Sequence, residues 1–451
     1  MQKMKKLWQK SWTLDKTIEL FETRGDLVLD QLLVKYDVWG SLAQAAGLAK
    51  IGILTEAELK QAKLGLKQIL KLNEQGKFKL EMGDEDVHTK IENYLTVKYG
   101  EVGKKIHTGR SRNDQVLTAI RLFTKDNLLA IWGDTLQLIE VLLDFGQKYQ
   151  LTLMPGYTHM QQAMPSSVGM WALAIAEGLM DDLVLLNAAY ELTDQSPLGS
   201  AASYGVPLPL DREYTAKLMG FSKVQINSLY SQNSRGKIEA ATLAALTSLL
   251  TSINKFASDV LLFTTSEFGF FEVARELCSG SSIMPQKKNV DVAELLRSKV
   301  HVLLANYVQV LGMATNLVSG YNRDLQDSKK PLFESLDLVD ECLKVTTILV
   351  QNLTPKPEVM QQALVPQIFA THKAFALVDQ GVAFREAYQQ AGAQLDQIQR
   401  SDMQSLVKLS KHLGGLGNLG IKELQSYLKK LTEQFEKKRQ LFTTAIAKLT
   451  D

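Results

Sequence analysis

Four short polar runs in this 451-residue chain carry side chains suited to acid–base chemistry on a carboxylate substrate. One is Gly280-Ser281-Ser282-Ile283-Met284-Pro285-Gln286-Lys287-Lys288-Asn289, a Gly- and Pro-punctuated loop with hydroxyls beside two cations and an amide. A serine is a poor base unless cations and N–H donors stabilise its alkoxide, and Lys287 and Asn289 could do that or bind a carboxylate. A second run is His107-Thr108-Gly109-Arg110-Ser111-Arg112-Asn113-Asp114-Gln115, just before a long apolar pattern. Arginine forks onto carboxylates and a helix N-terminus adds free N–H groups, so the run reads as a dicarboxylate-binding loop. It reads equally as a solvated loop whose Asp or Asn caps the helix. In the third, Met154-Pro155-Gly156-Tyr157-Thr158-His159-Met160-Gln161, a Pro-Gly turn presents Thr158 and His159. His159 suits proton transfer near neutral pH, or it bonds backbone at a helix start. The fourth, Ser319 to Lys329, is a donor-rich interhelical turn with Tyr321, Gln326 and Lys329.

These runs need a scaffold, and the periodicity supplies one. From Ile238 to Phe263, apolar residues recur at i, i+3, i+4 and i+7. Leu122–Phe145, Val168–Leu192, Val292–Val318 and Leu332–Leu353 follow the same rule. Only 10 prolines interrupt the chain, so long helices are permitted. Several of them pack as a bundle. The expectation is an all-α fold in three regions. Residues 1–108 are short helices and loops, 109–354 hold the long-helix bundle, and 355–451 hold shorter helices beyond Pro355 and Pro357. Weak strand signals fall at Ala202–Leu210 and Lys77–Met82. Leu243, Leu246, Leu249, Leu250, Ile253 and Leu262 span too wide an arc for one surface stripe. That helix is buried, either in a larger core or against another subunit.

The totals exclude some functions. Hydrophobic residues are 45% and net charge is +2, which gives no reason to expect nucleic acid or an anionic membrane as partner. No apolar run reaches the ~18 residues of a membrane span. The basic start (Lys3, Lys5, Lys6, Lys10) lacks the apolar stretch of a signal peptide. Two cysteines, Cys278 and Cys342, suit a reducing cytosol and offer no zinc spacing. No metal or organic cofactor is expected.

The Gly280–Asn289 run resembles the signature loop of the fumarase/aspartase superfamily of lyases, and its Gln-Lys-Lys-Asn ending resembles the argininosuccinate lyase branch. The His107–Gln115 run matches that branch's string at every position. Pro155 to Gln161, Tyr321 to Gln326, Asp84-Glu85-Asp86-Val87-His88, Pro197-Leu198-Gly199-Ser200-Ala201 and Phe384-Arg385-Glu386-Ala387 resemble further family segments. The resemblance implies reversible β-elimination of argininosuccinate to arginine and fumarate, in a cytoplasmic homotetramer whose sites are shared by three subunits. It implies Ser281 as base, His159 as proton donor, and Lys287 and Asn289 on the intermediate. Arg112, Asn113 and Thr158 would hold the succinyl carboxylates. Tyr321, Gln326 and Lys329 would hold the amino-acid end, and Arg235 matches a family arginine. The departures are Leu7 to Trp12, Gln44 where the family has His, the Asn227–Gly236 segment without its acids, Val290 for Pro, and Tyr388 for His. They leave open a lyase for another N-succinyl compound, or a catalytically weak structural or regulatory paralogue.

Overall fold

The structure is a computed structural model that describes residues 15–81 and 84–451. The basic start and the Leu7–Trp12 departure lie outside the described residues. The first helix is longer than expected. Instead of short helices, Lys16–Lys50 forms one 35-residue helix, α1. Asp15 caps it by accepting from the N–H groups of Thr17 (2.8 Å) and Ile18 (3.3 Å). Then come α2 (Glu56–Glu74), opened by a Thr55/Glu58 capping box, α3 (Val87–Tyr99) and α4 (Glu101–Lys105).

The long central helices fall where periodicity put them: α5 (Arg112–Lys148), α6 (Val168–Thr193), α9 (Lys237–Phe263), α10 (Asp291–Met313) and α11 (Lys329–Gln351), with two short helices that it did not indicate, α7 (Arg212–Leu218) and α8 (Ser228–Asn233), between α6 and α9. Among the long ones, α5 packs on α6 and α11, α9 on α6 and α10, and α10 on α11. Leu243, Leu246, Leu249, Leu250 and Ile253 of α9 are all buried within the single chain. Each such side chain contributes about 1.5–3 kcal/mol on leaving water.

Beyond the bundle lie α12 (Pro357–Ala363), α13 (Ala370–Asp379), α14 (Phe384–Ala393), α15 (Met403–Leu409) and α16 (Ile421–Thr450). Leu364, Ile368, Phe369, Ile398, Leu406 and Leu416 make a small separate core. The 30-residue α16 exceeds the short segments expected and returns to the main core. Its Phe435 meets Trp132 at 6.1 Å and its Phe442 meets Trp39 at 6.2 Å.

Strands are few. β1 (Leu153–Thr158) and β2 (Gln161–Ser167) form an antiparallel hairpin. β3 (Gln195–Ser196) and β4 (Lys223–Val224) pair in parallel, and β5 (Phe271–Val273) pairs antiparallel with β6 (Leu353–Pro355). The expected strand at Ala202–Leu210 is instead a chain of turns. Ala201, Ser203 and Gly205 take positive φ there, and Pro207 and Pro209 remove ladder donors. Of Lys77–Met82, residues 77–81 form no strand, and Met82 lies outside the described residues. No described helix is long and apolar enough to cross a membrane.

Candidate active site

The start of α5 is fixed from three sides. Ser111 and Asp114 form a capping box, with the Ser111 N–H donating to Asp114 at 2.8 Å. The other Asp114 oxygen accepts from Gly199 N (2.9 Å) and Ala201 N (3.0 Å). This fully buried carboxylate therefore ties the Pro197–Ala201 loop to the His107–Gln115 run. On the other side Gln44 donates to the Thr108 carbonyl at 2.8 Å, and Arg110 donates to Ser41 at 3.0 Å. Gln44, a departure from the family pattern, is thus a strut of this loop.

Against that start lies a cavity of about 200 Å³. Its walls come from α1, the Glu85–His88 segment, α5, Arg235 and the Tyr321–Lys329 segment. Buried Lys329 pairs with Asp26 at 2.7 Å and Asp30 at 2.9 Å, both on α1. Asp30 also accepts from Val87 N at 3.2 Å. Gln326 donates to the Glu22 carbonyl at 2.9 Å, and Arg323 pairs with the Glu22 carboxylate at 3.1 Å. Arg112 forks onto Glu85 and Asp86. Arg235 is only 3% exposed and lies over the Tyr321 ring at 5.0 Å. Asn113 completes the wall.

Burial and charge compete in this cavity. Burial raises the Asp26 carboxyl, and Lys329 only partly offsets that. Burial would also raise Asp86, but His88 and Arg112 hold it down at about 2. His88 is pushed down by burial yet ends above its ordinary value, because Asp37, Asp86 and Asp30 surround it. Next to the cavity, partial burial and then the charge of Arg110 push half-buried His107 down to about 4.

Six sequence-nominated residues meet here: Arg112, Asn113, Arg235, Tyr321, Gln326 and Lys329. The other five are elsewhere. Thr158 and His159 sit exposed at the tip of the β1–β2 hairpin, where His159 (φ 52°) and Met160 (φ 61°) adopt left-handed backbone. Ser281, Lys287 and Asn289 sit in the loop between β5 and α10. A bridge between Ser279 and Asn289 closes that loop, with N–H···O distances of 3.1 and 3.0 Å. Ser281 Oγ accepts from Ile283 N at 3.3 Å and Met284 N at 3.1 Å. Lys288 anchors the loop by donating to the Val273 carbonyl at 2.6 Å.

The hairpin and the Ser281 loop share one end of the bundle. Tyr157 meets Phe268 at 5.7 Å, and Trp171 meets Phe271 at 5.1 Å. The cavity lies at the other end. The 37 residues of α5 separate them by about 54 Å at 1.5 Å rise per residue. Sequence reasoning missed Glu22, Asp26 and Asp30. Their signal was the need of Lys329, a buried cation, for counterions.

The long-helix bundle has counterparts among solved structures. EDDS lyase in complex with formate superposes with a TM-score of 0.81 at 23% identity, over 98% of this chain and 95% of that one. A class II fumarase from Schistosoma mansoni gives 0.70 at 16% identity, over 88% of this chain and 96% of that one. Residues 8–304 match the family described as Lyase. The class is therefore that of the lyases built on this bundle. An argininosuccinate lyase from Thermotoga neapolitana is 44% identical over 383 residues, 85% of this chain and 96% of that protein. One from Bacteroides fragilis is 40% identical over 430 residues, 95% of this chain and 96% of its own length. The chain belongs to the argininosuccinate lyase family.

Proposed function

We propose that this protein catalyses the reversible β-elimination of argininosuccinate to arginine and fumarate, as a cytoplasmic homotetramer. The observation that carries the reading is the convergence of five separate segments on one charged cavity, in a chain with argininosuccinate lyase relatives of about 40% identity. Five carboxylates and four permanent cations line that cavity, a balance suited to a substrate bearing both signs.

The reaction removes a proton from the carbon beside a carboxylate, stabilises the doubly negative intermediate, and protonates the departing guanidino nitrogen. Ser281 acts as the base. Lys287 and Asn289 hold the developing charge, and donors of this kind contribute about 3–4 kcal/mol each. His159 delivers the proton to the leaving group. Asn113 and Thr158 hold the succinyl carboxylates. Arg112 contributes chiefly its charge, since its guanidinium already forks onto Glu85 and Asp86. Tyr321, Gln326, Lys329 and Arg235 hold the amino-acid end. The reaction calls for neither metal nor organic cofactor.

One chain cannot bring these groups together, given the ~54 Å that α5 sets between them. In this reading the cavity of one subunit meets the Ser281 loop and the hairpin of neighbours. Exposed Leu304, Val308 and Leu311, spaced i, i+4 and i+7 on α10, provide an apolar face for such an assembly. The three sequence regions, 1–108, 109–354 and 355–451, serve as the domains of each subunit.

The test is fumarate release, followed by ultraviolet absorbance, on mixing protein with argininosuccinate. Release lost in a folded Ser281→Ala variant supports reaction and base together. Near-normal turnover in that variant removes Ser281 as the base.

A further inference from the structure

We propose that Arg121, which lies outside the cavity, is a positioning residue for the reaction: through Ser234 it sets the turn that presents Arg235. This rests on the reading in which Arg235 and Tyr321 hold the amino-acid end of the substrate, and it adds what holds them in place.

Arg121 is an unfavourable side chain to bury. It is 1% exposed within α5, and among the described residues it makes no ion pair. Its Nε is buried with no hydrogen-bond partner there. Burial works against its charge, Glu239 and Tyr230 only partly offset that, and Arg235 adds repulsion. A well-packed apolar side chain of that length would cost the fold less. What the guanidinium does make is a 2.8 Å bond from Nη2 to the Ser234 hydroxyl, and a longer one of 3.4 Å from Nη1 to the Gln195 carbonyl. Ser234, itself fully buried, passes the link on by donating to the Ser231 carbonyl at 2.8 Å.

Ser234 opens the turn between α8 and α9, and Arg235 follows it directly. No acid flanks Arg235 in this chain, since its neighbours are Ser234 and Gly236. Its Nη1 is buried without a hydrogen-bond partner among the described residues. The aim of its guanidinium therefore comes from its backbone and from the Tyr321 ring beneath it. That backbone has little slack. Gly236 takes φ 76°, and an added Cβ there would stand 2.8 Å from Ala314 and 3.1 Å from Leu325. On the other side of Ser234, Asn233 donates to Ser319 at 3.2 Å and accepts from Gly320 N at 2.7 Å, just before Tyr321. Three consecutive residues thus divide the work. Asn233 holds the Tyr321 loop, Ser234 is held from α5 by Arg121, and Arg235 lines the cavity.

The experiment compares the wild type with Ser234→Ala and Arg121→Lys in fumarate release, with arginine and succinate as inhibitors and thermal melting as the folding control. Ser234→Ala should raise KM and the arginine inhibition constant about tenfold each, as for one lost hydrogen bond to a charged group. Its kcat should stay within about twofold and its succinate inhibition should not change, because the lost interaction serves only one end of the substrate. Arg121→Lys keeps the charge and one donor, so it should fall between Ser234→Ala and the wild type. If Ser234→Ala does not fold, Arg121→Lys reads the same ratio. Equal weakening of arginine and succinate, or a fall in kcat with normal KM, would overturn the inference. So would wild-type constants in both variants. A wild type that releases no fumarate would sink the proposed reaction instead, and calorimetric titration with arginine and succinate would then read the same selective loss.

Discussion

Replacing Lys329 by Met tests how the cavity is held together. The ammonium is buried between Asp26 and Asp30 at 2.7 and 2.9 Å. Removing it leaves two buried carboxylates facing each other, and breaking such a cluster costs about 3–5 kcal/mol. Unfolding 451 residues carries an entropy of about 0.95 kcal/mol per degree at 2.1 cal/mol/K per residue. The melting temperature should therefore fall by about 4 °C at neutral pH. The loss should also depend on pH. Asp26 already lies above its ordinary value, and losing the pull of Lys329 raises it further. A carboxyl raised in the folded state contributes stability that is present below its unfolded pKa, about 3.9, and lost as pH rises through the folded value. The deficit of Lys329→Met should thus be small near pH 4 and complete at about pH 7.5. Scanning calorimetry of both proteins at the two pH values measures it. A deficit equal at both, or below about 1 °C at neutral pH, would refute the buried-triad account.

Three other outcomes follow from the geometry. Gln44→Ala removes the donor to the Thr108 carbonyl, about 1 kcal/mol. KM should rise by severalfold with kcat preserved, and a lowered kcat with normal KM would point to a direct role in the chemistry. His159→Asn should lower kcat far more than it raises KM. A change confined to KM would make His159 a binding residue. Mixing dissociated Ser281→Ala and Gln326→Ala subunits should recover activity that neither variant has alone, because the two positions lie at opposite ends of the bundle. No recovery after confirmed subunit exchange would count against shared sites.

The central bundle was readable because its helices keep an uninterrupted apolar period. The first helix was not, and the reason is chemical. Gly25, Gly40 and Gly47 break its pattern, and Asp26, Asp30 and Asp37 occupy inward positions that an apolar stripe would fill. Of the residues that hid α1, the three aspartates are the ones that line or support the cavity. In α16 the charged run Lys429 to Arg439 is a solvated face as read, but Leu431, Phe435, Phe442 and Leu449 on its other side are buried. The hairpin escaped notice because Pro155, Gly156 and Pro165 sit inside its strands, which propensity alone disfavours. Local motifs nominated the candidate site residues. They could not group them, since sequence spacing says nothing of which end of a bundle a loop occupies.

The return of α16 bears on the order in which the chain can mature. Phe435 covers Trp132 and Phe442 covers Trp39, and Phe435 fits against Gly133, where an added Cβ would stand 3.3 Å from its ring. During synthesis, roughly 300 residues must be added after Trp132 before that cover arrives, which at 5–20 residues per second takes about 15–60 s. Over that interval α1 and α5 carry bare indole surface. A stop codon between Lys329 and Ile421 would make that exposure permanent, leaving the candidate active-site residues encoded but an aromatic seam open to aggregation.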